Sequence, residues 1–196
     1  MNLANLVIIF ADKDKNITKS IKKYFGDLFN VQIFIGNIVQ VPNADCVVCP
    51  GNSYGFMDDG VEKTIKYIFD GIDERIKNII NNIYYGEQPV GTSSIIETHH
   101  HKYKYIAHVP TCRLPSDISS THNAYTAFRA LLTSVLNHNK ISDNKINIIL
   151  CTGFCTGVGQ MDPEEAARQM RIAYNLVDLG LPANKENAKL IDDLLK

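Results

Sequence analysis

The stretch Asp45–Glu62, reading D-C-V-V-C-P-G-N-S-Y-G-F-M-D-D-G-V-E, constrains this chain most. Cys46–Cys49 is a short apolar run with the length and β-branched character of a buried strand. It is expected to break at Pro50-Gly51 and pass through a loop carrying Asn52, Ser53, Gly55 and Gly60. The chain then restarts at Val61 as a helix. A strand, a glycine-rich turn and a helix start, in that order, aim backbone N–H groups and a positive dipole end at the carboxyl edge of a sheet. That edge is where α/β folds hold phosphorylated ligands. An ordinary strand-to-helix connection would look similar, so a second signal is needed.

A second such stretch exists. Cys151–Pro163, C-T-G-F-C-T-G-V-G-Q-M-D-P, also follows an apolar run (146–151) and precedes a helix beginning at Pro163. Gly153, Gly157 and Gly159 let the backbone turn tightly and approach a phosphate. No Gly-Lys-Ser/Thr closes this loop, and it is not a G-x-G-x-x-G fingerprint. Two such loops at one sheet edge can clamp a diphosphate from both sides.

The rest of the chain alternates strand and helix signals. Strands are expected at 6–10, 31–35, 91–98 and 104–109, the last two joined through His99-His100-His101-Lys102. Helices are expected at 14–25, ended by Gly26, and at 61–83 in two pieces around Gly71. Two more are expected at 121–137, where Thr121 can cap, and at 181–196 on the outside. This order predicts a twisted, mostly parallel sheet with helices on both faces. With 196 residues, 45% of them hydrophobic, and no repeat or linker-like break, a single domain over residues 1–196 is expected, with 179–196 as a helical extension.

Charge and cysteine usage narrow the partners. A net charge of −1 argues against a nucleic-acid module. No apolar run is long enough to span a membrane, and the start around Asn2, Asn5 and Asp12 does not resemble a signal peptide. Five scattered cysteines fit reduced thiols in the cytoplasm. The pairs Cys46/Cys49 and Cys151/Cys155 imitate a zinc site. However, residues three apart on a strand point to opposite faces, so no metal site is expected. His108, near a strand end, reads as a hydrogen-bonded core histidine, and Thr111–Thr121 as a polar loop that either borders the cleft or only connects elements.

With these residues in place, roughly residues 6–178 resemble a macro domain, the ADP-ribose-binding module. The family's first loop, V-N-A-A-N-S-x-L-x-x-G-G-G-V, aligns without a gap on Val48–Val61. Its second, S-T-G-I-Y-G, is similar to Cys155–Gln160, and its Gly-Asp-Ile to Gly36-Asn37-Ile38. The resemblance implies a three-layer α/β/α sandwich with a mixed, mostly parallel sheet, a cleft for free or protein-linked ADP-ribose, and no cofactor. It assigns Asn52 and Glu62 to catalysis, with Asn52 orienting the distal ribose and Glu62 activating water. It assigns ligand contacts to Asn37 and Ile38 on the adenine side and to Ser53, Gly60 and Val61 in the first loop. In the second loop it assigns them to Gly153, Phe154, Thr156, Gly157, Val158 and Gly159.

Departures from the family pattern sit in the same loops. Asp58 and Asp59 replace two glycines and would repel a diphosphate unless they face solvent or hold a cation. Gly159 replaces a ring that often covers the distal ribose, leaving Tyr54, Phe56, Phe154 or Met161 to do so. Three functions follow: hydrolysis of ADP-ribosyl esters or ADP-ribose 1″-phosphate, ADP-ribose binding without chemistry, or binding of another nucleoside diphosphate or an RNA end.

Overall fold

The computed structural model describes residues 3–196; residues 1 and 2 of the expected domain, Asn2 among them, lie outside the described part. Six strands form one sheet in the order β2-β1-β6-β3-β5-β4. They are β1 Val7–Asp12, β2 Val31–Ile35, β3 Cys46–Asn52, β4 Ser94–Glu97, β5 Tyr105–Cys112 and β6 Ile148–Cys151. All neighbours pair in parallel except β4 with β5. Helices α1 Lys15–Phe25, α2 Gly60–Ile68, α3 Ile72–Ile83, α4 Asn123–Ile141, α5 Pro163–Leu179 and α6 Lys185–Leu195 complete the chain.

Alternation along the strands sorts their side chains into two cores. Ile8, Phe10, Cys46 and Val48 face α1, α4 and α5, whereas Ile9, Val47, Cys49 and Ile106 face α2 and α3. Cys46 and Cys49 therefore lie on opposite faces of β3. The first core is centred on rings: Phe128 sits 6.1 Å from both Phe10 and Phe25 and 5.6 Å edge-on from Phe154. Among the described residues no helix is long and apolar enough to cross a membrane.

Local chemistry sets several boundaries. Asp14 caps α1 by accepting from the Asn16 N–H at 2.7 Å. Asp162 caps α5 at Glu164 and Glu165, with Pro163 as first helical residue and Gly180 ending the helix at φ +59°. Three expectations are corrected. β3 does not break at Pro50-Gly51: it runs to Asn52, pairing Pro50 with Val109 and Gly51 with Pro110. Strand β6 reaches only Cys46 and Val47, so the Pro50 nitrogen lies on a side where no ladder donor is required. Thr121 is not the cap residue of α4: His122 stands there without a side-chain bond, while the Thr121 hydroxyl, one residue earlier, accepts from the first helical N–H, that of Asn123, at 3.3 Å and donates to Ile118 O at 2.7 Å. The last helix starts at Lys185, where Asn184 caps it, rather than at Leu181.

Candidate functional site

The carboxyl ends of β1, β6, β3 and β5 open along one edge of the sheet, the edge at which ligands enter parallel α/β folds. Two connected hollows lie there, of about 410 Å³ and 210 Å³. Gly60 and Val61 at the start of α2, and Gly153 and Gly157 in the loop after β6, border both. They form a waist between a first and a second lobe.

The waist is built from backbone. Asp59, the cap residue of α2, makes no side-chain hydrogen bond to the helix, so its first N–H groups are left to other acceptors. Gly60 holds φ +58°, where a side chain would be strained. On the opposite wall a Cβ at Gly153 would stand 2.7 Å from Ile17, and one at Gly159 only 2.5 Å from the Cys155 carbonyl oxygen. Gly159 therefore cannot carry the ring its family counterpart has. Phe56 stands at the second lobe instead, 44% exposed and stacked on Tyr54 at 5.7 Å. Arg113 lies over that Tyr54 ring and pairs with Glu87 at 2.8 Å, which braces the loop.

Most of the assigned residues meet at this cleft. Asn37, Ile38 and Thr156 line the first lobe; Asn52, Glu62, Val158 and Gly159 line the second. Ser53 and Phe154 line neither. Ser53 is 1% exposed, its N–H bonded to the carbonyls of Cys112 and Arg113, and Phe154 points into the aromatic core against Phe128. Met161 is likewise a core residue. Each has an apolar or hydrogen-bonded partner behind the loop, which turns it from the cleft.

The assigned side chains are also more committed than their sequence positions imply. Asn52 accepts from the N–H groups of Tyr54 and Phe56 at 3.2 Å and donates to Phe56 O at 2.9 Å and Glu62 Oε1 at 3.4 Å. It holds its own loop. The Asn37 carbonyl oxygen accepts from Val39 N–H at 3.3 Å, within a 3₁₀ turn Ile38–Gln40. Burial pushes the Glu62 carboxyl up to about 8, helped by the nearby charges of Asp58 and Asp59. Asp58, Asp59 and Glu62 line the second lobe, and among the described residues no Lys or Arg does. Glu62 is thus largely protonated at neutral pH.

Sequence reasoning missed Asp12 and left the role of Thr111–Thr121 open. Asp12 ends β1 in the first lobe, accepting from Asp14 N–H at 3.0 Å. Its only sequence signal is its place just after an apolar run. Thr111 and Cys112 at the end of β5, and Pro115 and Ile118 beyond it, border the second lobe, so the segment 111–121 forms part of the cleft wall rather than only connecting elements. The Thr111 hydroxyl donates to Gly51 O at 3.1 Å. Behind Gly51 lies His108, fully buried.

Comparison with known proteins agrees with this architecture. The sequence profile of the macro domain family matches residues 48–170. An uncharacterized Aquifex aeolicus protein is 31% identical over 142 residues, which is 72% of this chain and 78% of that one. Among solved structures, the macrodomain of Mycobacterium tuberculosis DarG superimposes with a TM-score of 0.61 at 17% identity, over 73% of this chain and 88% of that one. The Oceanobacillus iheyensis macrodomain with ADP gives 0.61 at 16% identity, over 82% and 86%. At such identities the structural likeness is one of fold; the profile match and the Aquifex relative reach further, and the chain belongs to the macro domain family.

Proposed function

We propose that this cleft binds ADP-ribose, free or carried on a protein, with adenosine in the first lobe, the diphosphate at the waist and the distal ribose in the second lobe. The observation that carries the reading is the waist itself, where an uncapped helix start faces a glycine loop. Volumes of about 410 Å³ and 210 Å³ suit a larger and a smaller end group. That a macrodomain of the same fold is known with ADP supports the placement of the first two parts. Calorimetric titration with ADP-ribose is expected to give one-to-one binding at micromolar affinity, tighter than AMP. Gly159→Ala, whose Cβ would force the second loop to move, is expected to weaken it about tenfold or more. Equal affinities for AMP and ADP-ribose, or no ADP-ribose binding, would sink the reading.

A second reading, hydrolysis at the distal ribose, is favoured by Glu62. Its carboxyl borders the second lobe within reach of Asn52, in an environment that raises its pKa to about 8. As general base it must first lose its proton. The rate on an ADP-ribosyl ester is therefore expected to rise with pH, pass half its maximum near 8 and level off above that, and to vanish in Glu62→Gln. A flat pH profile, or full activity in that variant, would exclude Glu62 as the base.

A further inference from the structure

His108 is the buried group that this chemistry leaves unused. Its Nδ1 lies 2.8 Å from Gln88 Oε1, and the Gln88 side-chain amide donates to the His108 carbonyl at 3.4 Å. Opposite a carbonyl oxygen, Nδ1 carries the ring proton and Nε2 keeps a lone pair. Among the described residues that Nε2 is the one buried side-chain nitrogen or oxygen with no hydrogen-bond partner. Such an orphan in a folded core calls for a reason.

Glu62 lies on the other side of Gly51. The point where a Cβ at Gly51 would stand is 2.7 Å from His108 Nε2 and 2.9 Å from Glu62 Oε1. Because residue 51 has no side chain, the lone pair and the carboxyl face the same small space. Their protonation is complementary. Burial holds the ring neutral, moving its pKa to about 4, and the carboxyl keeps its proton up to about 8. One is an acceptor without a donor, the other a donor facing the same space.

We propose that Glu62 and His108 hold one proton between them across Gly51, His108 acting as a positioning residue for Glu62 in the hydrolytic reading, on which this inference rests. The carboxyl O–H donates to Nε2 across one bridging water, since the two make no direct bond. The proton stays on the carboxyl, the more basic of the two sites, and leaves it for solvent as pH passes about 8. His108 thereby fixes where the carboxyl points and holds its acid form, and the carboxylate left above that pH is the base aimed at water beside the ribose. The other titratable groups facing Glu62 do not compete for this proton. Asp58 and Asp59 precede α2 and disfavour a third negative charge, while Cys49 on β3 and Cys112 on β5 are thiols whose pKa burial raises.

The test needs no substrate. In the ligand-free protein, the Glu62 side-chain carboxyl carbon and the His108 imidazole nitrogens are followed by NMR through the range in which Glu62 ionises. The expected result is that both signals move at one shared midpoint, as a coupled pair must. Gly51→Ala places a methyl group between them at a backbone position without positive φ. It is expected to lower the Glu62 midpoint by about one pH unit, a tenfold change in its proton affinity. A His108 signal that stays flat while Glu62 titrates overturns the pair, as does an unshifted midpoint in a folded Gly51→Ala protein. If that variant does not fold, the parent titration alone decides. An inactive protein whose two signals move together would keep the pair and remove only the hydrolytic reading.

Discussion

Glu62→Gln is expected to stabilise the protein, by about 2–4 kcal/mol at pH 8, with the gain shrinking to nothing near pH 4.5. The sign follows from proton counts. Glu62 holds its proton up to about pH 8 when folded but ionises near 4.5, the ordinary value, when unfolded. Between these values the native state binds one more proton than the unfolded state, so stability falls as pH rises, by about 1.4 kcal/mol per unit. The stabilising contribution is complete below 4.5 and is lost through 8. Glutamine keeps the shape and the contact with the Asn52 amide but has no proton to lose and no charge to set against Asp58 and Asp59. For a chain of this size the melting temperature should rise by roughly 6–12 °C at pH 8. Thermal melts of parent and variant at pH 5 and 8 check this. An equal effect at both pH values, or destabilisation at pH 8, would mean that Glu62 is ionised in the folded state. The same substitution is expected to end hydrolysis, so stability and chemistry would pull against each other at this one position.

The second large effect is expected at Phe128→Ala, remote from the cleft. Phe128 is fully buried and stands among Phe10, Phe25 and Phe154. Its removal leaves a cavity that rigid strands and helices close poorly, and a loss of about 3–5 kcal/mol is expected by urea denaturation. That is a large fraction of the roughly 5–15 kcal/mol that holds a domain folded. Phe154 belongs to the second glycine loop, and its ring rests edge-on against Phe128 at 5.6 Å. Losing that seat should loosen the loop, so the folded fraction should also bind ADP-ribose more weakly than the parent protein. Unchanged stability would show that the aromatic cluster collapses onto the gap.

These two positions mark where sequence reasoning reaches its limit. The two glycine loops were legible because each follows a short apolar run and precedes a helix start, signals that arise within a dozen or so neighbouring residues. The caps at Asp14 and Asp162 are equally local. Ser53 and Phe154 were assigned to the cleft by the family resemblance of the loops that carry them. Whether a given loop residue faces ligand or core depends on what stands behind it, and those partners, Cys112 for Ser53 and Phe128 for Phe154, come from distant parts of the chain. The strand expected to stop at Pro50 continues because β5 offers it a partner there while β6 has already ended.

The sequence by itself determined the alternation of strands and helices, the mostly parallel sheet, and the two loops that meet at the waist, since periodicity, capping and glycine placement act over short distances. Tertiary structure alone decided how those loops are used. Sheet order set β3 beside β5, which brought His108 behind Gly51 and Glu62 in front of it. It also gathered Asp58, Asp59 and Glu62 around one small lobe. Protonation depends on solvent exclusion and on charges brought together through space, and neither is set by a residue's neighbours along the chain.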